Sequence, residues 1–294
     1  MTNNFIQDCW KNLEKNNSIP TKLRNVLILD FNEVKKKIIE EDQNFIKKIT
    51  QSLFDGDFYI LKNSFSKEFM TNLRKKSFEL YKSKPSEFHK MLEGAPDFHR
   101  VIDIEIGKKY AIKMCKHSFY FYPWNKDPLK IFETIYERWR VVKQLMGLNA
   151  REYELNTPKD GVVDRIQVVQ YPSKIGYLEP HTDPHQHQRL FFSGYMSKQG
   201  EDFEGLGFYL INKKNEIVEV EHQIETGDVG IGYSTIYHGV APVNTNKNPD
   251  WENGEDGRWF LSMFSNASDE AQSRVTSASI KEKFEDKRLY PNID

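Results

Sequence analysis

The residues with the clearest capacity for chemistry are two histidines and an aspartate: His181, Asp183 and His238. His181 and Asp183 are two residues apart, so on an extended segment both side chains project from one face and can reach one metal ion. His238 is the best candidate for a third ligand supplied by a distant strand. Two imidazoles and one carboxylate that leave coordination positions open are typical of non-haem iron(II) sites that use oxygen. The sequence therefore predicts an iron site.

A His-x-Asp pair alone is a weak signal, and the surrounding pattern strengthens it. A strand that ends at Tyr171 precedes the pair, and the turn at 227–232 leads into a buried strand ahead of His238. The stretch 257–264 reads as a further strand with Arg258 at its start. A guanidinium is a rigid fork that can bind a carboxylate through two parallel hydrogen bonds. We expect Arg258 to anchor the far carboxylate of an oxo-acid cosubstrate.

The elements that must position these residues are short β-like runs separated by turns. The predicted strands are 166–171, 190–196, 208–211, 217–220, 229–233 and 259–264, with a hairpin turn at 212–215. Many short strands in succession without intervening helices indicate a β-sandwich or barrel rather than a doubly wound sheet. The fold class is therefore predicted as mostly β with flanking helices (α+β).

The preceding part of the chain is predicted to support this β core from outside. Its predicted elements are a helix through Phe45, Ile46, Ile49 and Leu53, a strand at 58–61, a helix capped by Ser66, a strand with alternating Ile102, Ile104 and Ile106, and a helix from Asp127-Pro128 to Gly147. The aromatic cluster at 119–124 could be a core strand or a wall that faces the substrate. The core interpretation is favoured because aromatic side chains bury large areas.

Composition restricts the classes of partner and compartment. The 294 residues carry 42 basic and 43 acidic side chains, which argues against nucleic acid or an anionic membrane as a partner. Cys9 and Cys115 have no metal-binding or disulfide-framework spacing, which fits a reducing compartment. The first residues lack the pattern of a signal peptide, and no stretch has the length of a membrane span. The expectation is a soluble cytoplasmic protein.

The order of these motifs resembles that of the iron(II)/2-oxoglutarate-dependent dioxygenase superfamily, over residues 44–266. The matching order is strand-Tyr-Pro, His-x-Asp, Gly-Asp strand, His-Gly-Val-x-Pro-Val and a strand that carries Arg. The resemblance implies a double-stranded β-helix (jelly roll) core. It also implies that His181, Asp183 and His238 bind Fe(II), that Arg258 binds the C5 carboxylate of 2-oxoglutarate, and that Tyr171 lies near the cosubstrate or substrate.

The implied activity is that of a hydroxylase. Oxidation of 2-oxoglutarate by O2 to succinate and carbon dioxide would be coupled to hydroxylation, or another C–H oxidation, of a small polar metabolite. The chain is predicted to be a single oxygenase domain over 1–294. Its parts are an N-terminal extension (1–43), helical support and outer strands (44–155), the jelly-roll core with the metal site (156–268) and a C-terminal tail (269–294).

Two departures from the superfamily pattern concern the strand that carries Arg258. This residue lies twenty positions after His238, further than in many relatives, so residues 244–256 are predicted to form a longer surface loop. The Arg-x-Ser signature of one plant and antibiotic branch is also absent, because Trp259 and Phe260 follow Arg258. The subfamily therefore stays open.

Other interpretations of the same residues remain open. A cupin-type metalloenzyme would use His185 and His187, but the Glu expected shortly after the second His is missing. A jelly roll that binds a ligand without catalysis and a nucleic-acid demethylase are the remaining alternatives. Because Pro184 predicts a bend, His185 and His187 are expected to neighbour the metal site or face the substrate rather than bind the metal. Gln167 shares strand parity with Tyr171 and is either a packing or a contact residue.

Overall fold

The computed structural model describes residues 4–272 and 274–292. Its α-helices are α1 (Asn4–Asn16), α2 (Phe31–Ile39), α3 (Gln43–Phe54), α4 (Lys67–Tyr81), α5 (Ile104–Gly107) and α6 (Phe132–Leu145). Short 3-10 turns lie at Pro158–Asp160, Glu221–Gln223 and Lys287–Leu289. None of the helices in these ranges has the length and apolar character of a membrane span.

The strands dominate the second half of the chain. They are β1 (Val26–Asp30), β2 (Phe58–Lys62), β3 (Phe98–Ile102), β4 (Met114–Phe121), β5 (Val162–Tyr171), β6 (Tyr177–Thr182), β7 (Leu190–Tyr195), β8 (Phe208–Ile211), β9 (Ile217–Glu219), β10 (Val229–Tyr233), β11 (His238–Val240), β12 (Arg258–Ala267) and β13 (Ala278–Ser279). The predicted hairpin at 212–215 is confirmed, because β8 and β9 pair antiparallel on either side of it.

Strands β5 to β12 form a jelly roll of two antiparallel sheets. The larger sheet has the order β10-β7-β12-β5, and the smaller sheet has the order β6-β11-β8-β9. Apart from the hairpin of β8 and β9, each strand lies in the opposite sheet from the strand before it. This winding defines the double-stranded β-helix, so the predicted fold class is confirmed.

Strand β4 joins the two sheets along one edge. Its first residues pair with β6 in the smaller sheet, where Cys115 lies opposite Tyr177. Its later residues pair with β5 in the larger sheet, where Phe119 lies opposite Val168. A single strand therefore turns the corner between the sheets and closes this side of the core.

The N-terminal part of the chain builds the opposite edge of the larger sheet. Strand β2 pairs antiparallel with β10, and β1 adds to it in parallel register. Helix α1 buries Trp10 fully, and the indole Nε1 donates to the carbonyl of Leu145 at 2.7 Å. Residues 4–43, the described part of the predicted extension 1–43, thus contribute a strand and a packed helix to this layer.

The two helices and the strand that were predicted between residues 43 and 81 are confirmed as α3, β2 and α4. Helix α3 buries Ile46, Ile49 and Leu53 on one face and begins after Asp42, whose carboxylate accepts from the amide of Phe45. Helix α4 begins after Ser66, whose hydroxyl accepts from the amide of Phe69, as its N-cap position predicts. These helices pack their apolar faces against the larger sheet.

The prediction of one strand through Ile102, Ile104 and Ile106 is wrong. Strand β3 ends at Ile102, and the next residues form the short helix α5. The carboxylate of Asp103 accepts from the amide of Ile106 at 2.7 Å. An N-cap aspartate satisfies a backbone donor that a strand would leave to a neighbour, and here this local bond outweighs the alternating pattern.

The predicted start of helix α6 at Asp127-Pro128 is also wrong. The helix begins at Phe132, because Lys130 has a positive φ of 55° and interrupts the helical conformation. Asp127 nevertheless accepts from the amides of Ile131 and Phe132 at 3.0 and 2.8 Å. The aspartate therefore caps the helix from an intervening turn.

The core interpretation of the aromatic cluster at 119–124 is confirmed, since Phe119, Phe121 and Tyr122 are almost fully buried. Residues 244–256 form turns with mostly exposed side chains, as predicted for a surface loop. Strands β6 and β11, which carry the two candidate ligand histidines, were not among the predicted strands. Pro180 and Gly239 interrupt their sequence patterns, and β11 is only three residues long.

Candidate metal centre and cavity

The predicted metal ligands come together through the pairing of two short strands. Strands β6 and β11 run antiparallel in the smaller sheet, and His181 lies directly opposite His238. Asp183 follows the last residue of β6, and its amide donates to the carbonyl of Ser234 at 2.9 Å. A pairing between residues 57 positions apart in the sequence thus builds the site.

Both imidazoles present the same nitrogen to the aspartate. The Nδ1 atoms of His181 and His238 donate to the carbonyls of Glu179 and Ile236 at 2.9 and 2.8 Å, which leaves each Nε2 with a lone pair. The two Nε2 atoms lie 3.7 Å from different carboxylate oxygens of Asp183. The three ligand atoms are all within 4.8 Å of one another. This is the donor set of a facial two-histidine, one-carboxylate metal site.

Burial keeps one of the two imidazoles in the neutral form that a metal needs. Burial and the neighbouring imidazole of His238 lower the pKa of His181 to about 4, so its imidazole is neutral at physiological pH. The ring of Phe191 lies 4.8 Å from the ring of His238 and covers one side of it. Ser277, which precedes β13, donates to a carboxylate oxygen of Asp183 at 2.6 Å. These contacts fit a metal, because they orient the ligands and leave both Nε2 atoms and the second carboxylate oxygen of Asp183 free.

The three residues open into a cavity of about 380 Å³ between the two sheets. Alternate residues of β5 and β12 point into it, as the two-residue period of a strand requires. They are Arg165, Gln167 and Tyr171 on β5, and Arg258, Phe260, Ser262, Phe264 and Asn266 on β12. The cavity therefore contains all the residues predicted to form the site.

Arg258 lines this cavity and is 1 % exposed. It lies opposite Tyr171 in the pairing of β12 with β5. Its Nε donates to Glu221 at 2.5 Å, whereas its Nη1 is buried without a hydrogen-bond partner in the described residues. The second carboxylate oxygen of Glu221 is also buried and unpaired there. The guanidinium of a cavity-lining residue thus retains unused donor capacity.

Tyr171 and Gln167 both face the cavity, as their strand parity predicts. The Tyr171 hydroxyl is buried without a partner in the described part of the chain, and its ring stacks on Phe260 at a centroid distance of 5.8 Å. Burial raises the pKa of this phenol, so the hydroxyl is a neutral hydrogen-bond donor. Gln167 is held by Ser118, whose hydroxyl accepts from its amide at 3.1 Å.

The other histidines lie away from this centre. His185 and His187 do not line the cavity, so of the two roles expected for them only that of neighbours of the metal site is left. They contact the rings of Tyr233 and Tyr153, because the chain leaves β6 after Thr182 and bends at residues 186–187. His99 and His117 share a hydrogen bond of 2.7 Å within the aromatic core.

Sequence reasoning missed four residues at the site: Lys116, Arg165, Glu221 and Ser277. Arg165 was detectable, because it has the same strand parity as Gln167 and Tyr171 on β5. The other three carry no local signal. Their positions depend on how β4 turns between the sheets and on how the chain returns after β9 and β12.

Comparison with known proteins relates this fold to several solved structures. No family model and no curated protein matches the chain. A Neurospora crassa protein in complex with alpha-KG and thymine has 15% identity and a TM-score of 0.49, over 82% of this chain and 86% of that one. A Caulobacter crescentus protein named for the 2OG-Fe(II) oxygenase family has 10% identity and a TM-score of 0.47, over 85% and 88% of the two chains. A Pseudomonas putida prolyl-4-hydroxylase has 9% identity and a TM-score of 0.47, over 74% and 97%.

Structures of the superfamily predicted from the sequence are thus among those that this chain resembles. The strand order and register of the chain itself define its fold.

Proposed function

We propose that this protein is a non-haem iron(II)- and 2-oxoglutarate-dependent oxygenase that hydroxylates, or otherwise oxidises, a C–H bond of a small polar molecule. The observation that carries the proposal is the shared cavity. The buried donor atoms of His181, Asp183 and His238 converge at one place in it. Arg258 also lines it, and the Nη1 of this guanidinium is buried without a hydrogen-bond partner in the described residues. A cosubstrate with two carboxylates fits this pair of anchors.

Each group has a separate role in the proposal. Iron(II) held by His181, Asp183 and His238 would supply the oxygen activation that couples oxidation of 2-oxoglutarate to oxidation of the substrate. The backbone carbonyls that accept from both Nδ1 atoms hold the imidazole planes in position. Arg258 binds the C5 carboxylate of 2-oxoglutarate, because its pair with Glu221 leaves guanidinium donors unused and a carboxylate can accept from them. Tyr171, the register partner of Arg258, donates its hydroxyl to the same carboxylate.

The apolar lining protects the reaction. Phe191, Phe208 and Phe260 face the same cavity as the ligand set. Aromatic walls exclude bulk water and strengthen the electrostatic contacts of the bound acid. The cupin alternative has less support, since His185 and His187 lie outside the cavity.

The experiment that tests this proposal is anaerobic addition of ferrous iron and 2-oxoglutarate to the purified protein. We expect a visible metal-to-cosubstrate charge-transfer band, and succinate formation once oxygen and a substrate are admitted. His181→Ala should abolish both signals, because it removes one ligand of the metal. His89→Ala, on the surface beside Glu87, is the matched control and should retain both. Folded wild-type protein without the band would refute the proposal and favour a jelly roll that only binds a ligand.

A further inference from the structure

We propose that the substrate is a small carboxylate whose anionic group binds between Lys116 and Arg165, at the end of the cavity remote from Arg258. This inference rests on the proposed function, because it assigns the rest of the same cavity to the molecule that is oxidised. It names a chemical class of substrate and two residues that select it. Three observations support it: the separation of the two arginines, the balance of charge in the cavity and the closure of its mouth.

The pairing of β5 with β12 places the two arginines at opposite ends of the cavity. Arg258 lies opposite Tyr171, and Arg165 lies opposite Phe264. The two pairs are six residues apart along β5, or about 20 Å of backbone at roughly 3.3 Å per residue. A 2-oxoglutarate molecule that reaches from the metal ligands to Arg258 therefore leaves Arg165 for another anion.

Arg165 is held in an orientation suited to binding. Its guanidinium lies 4.8 Å from the ring centre of Phe264 and 5.5 Å from that of Tyr120. Contacts with aromatic rings fix the plane of a guanidinium and leave its N–H edge available. Its Nε is buried and has no hydrogen-bond partner in the described residues. A buried donor of this kind needs a partner, and a carboxylate with two oxygens supplies one.

Lys116 brings a second cation to the same space. It lies on β4 between Cys115, which pairs with β6 of the smaller sheet, and His117, which pairs with β5 of the larger sheet. Its side chain lines the cavity at this corner. Burial, and after it the charge of Arg165, lower the pKa of Lys116 to about 8. The two cations therefore repel each other in a partly desolvated space, and an anion between them would relieve that repulsion.

The other charged side chains of the cavity do not neutralise Lys116 and Arg165. Arg258 is paired with Glu221, and Arg274 is paired with Asp269. Asp183 is the acidic member of the ligand set. Lys116 and Arg165 have no ion pair among residues 4–272 and 274–292. An anionic substrate restores the balance without disturbing the metal ligands or the cosubstrate anchor.

The closure of the mouth restricts the size of the substrate. After β12 the chain returns across the cavity, and β13 pairs with β6 beside the ligand set. Residues 274–277 line the cavity, and Ser277 bonds to Asp183. A folded protein or a duplex would have to displace this segment, whereas a small acid fits within about 380 Å³. The aromatic side chains of Phe260 and Phe264 favour a substrate that also has an apolar part.

The test uses metal-free protein, so that its outcome does not depend on iron or 2-oxoglutarate. Benzoate and phenylacetate are titrated calorimetrically beside benzamide and phenylacetamide, which have similar shapes without the charge. We expect the wild-type protein to prefer each acid by at least about tenfold. Lys116→Met and Arg165→Met should each reduce the preference by about tenfold. Lys116→Arg should retain it, and Lys159→Met, on the turn at Pro158–Asp160 outside the cavity, should behave as wild type.

Two outcomes would overturn the inference. One is wild-type protein that binds acids and amides equally, or binds neither. The other is a preference that survives in Lys116→Met and Arg165→Met and disappears in Arg258→Met, which would place the anion at the cosubstrate anchor. Retention of the wild-type thermal midpoint in each variant shows that a change in its preference for acids is not caused by loss of folding. If the acids bind as expected while the charge-transfer band is absent, the anion site stands and the oxygenase proposal fails.

Discussion

This protein has two buried ion pairs that each join a basic and an acidic side chain. They differ in whether the remaining polar atoms of the pair have hydrogen-bond partners. Lys143 and Asp164 meet between helix α6 and strand β5 with both side chains fully buried. Arg258 and Glu221 meet at the cavity with side chains that are 2 % and 1 % exposed. Burial alone therefore does not distinguish a structural pair from a pair that is available to a ligand.

The difference lies in their remaining hydrogen bonds. Lys143 donates to Asp164 at 2.5 Å and to the carbonyl of Glu152. The other oxygen of Asp164 accepts from Ser265 at 2.7 Å and from the indole of Trp139 at 3.5 Å. This network is complete and has a structural role.

Among the residues that the structure describes, one nitrogen of Arg258 and one oxygen of Glu221 have no partner, and Arg258 lines a cavity. Because buried polar groups in folded proteins are nearly always paired, the vacant positions point to a ligand. A buried charge with unused donors beside a cavity is therefore a better marker of function than a buried charge alone.

The largest effect is expected for Lys143→Met. Removal of one partner leaves the Asp164 carboxylate buried without its cation, which should lower the free energy of unfolding by about 3 to 5 kcal/mol. Denaturant unfolding measures the loss. The double variant Lys143→Met with Asp164→Leu should recover at least half of it, since an apolar pair avoids the desolvation cost. A single variant as stable as the wild type would show that the pair has no structural role.

A smaller effect is expected for Arg258→Lys, and it should appear in binding rather than in stability. Lysine retains the charge but replaces the fork with a point charge, so the affinity for 2-oxoglutarate should fall by about tenfold. Titration of the charge-transfer band measures this affinity. Arg24→Lys, in a partly exposed pair with Asp57, is the control and should leave it unchanged. Equal affinities in Arg258→Lys and wild type would remove the proposed role of Arg258 as the anchor.

The smallest effect is expected for Lys36→Ala on helix α2. Its ammonium lies 3.9 Å from Glu40, and both side chains are mostly exposed. Solvent screens such a pair, and alanine has a slightly higher helix propensity than lysine, so the free energy of unfolding should change by less than about 0.5 kcal/mol. Thermal unfolding at two salt concentrations would check this. A loss comparable to that of Lys143→Met would show that burial is not what separates these pairs.

Much of the fold was readable from local patterns. Helices α3 and α4 and strands β8 and β10 follow directly from apolar spacing and capping residues. Two predictions from local patterns were wrong. A hydrogen bond to Asp103 ended the predicted strand, and the positive φ of Lys130 moved the start of helix α6. Strand β11 was missed because three residues are too few to show a period.

The candidate ligand set was also accessible from the sequence, because ligand chemistry depends on residue type and on close spacing. The side chains of His181 and Asp183 are neighbours in any extended conformation, and the pattern around His238 marks it as the third member. By itself the sequence determined the residue types of the candidate metal site, the mostly β class of fold and the strand that carries Arg258.

Only the tertiary structure decided what surrounds that site. Glu221 reaches Arg258 across 37 residues, Ser277 returns to Asp183 across 94, and Lys116 enters the cavity where β4 changes sheets. Such contacts depend on strand register and on the path of loops, which long-range packing selects and no local pattern encodes. The same packing leaves Arg165 and Lys116 without an ion pair in the part of the chain that the structure describes, and that imbalance is the physical basis for the carboxylate substrate proposed here.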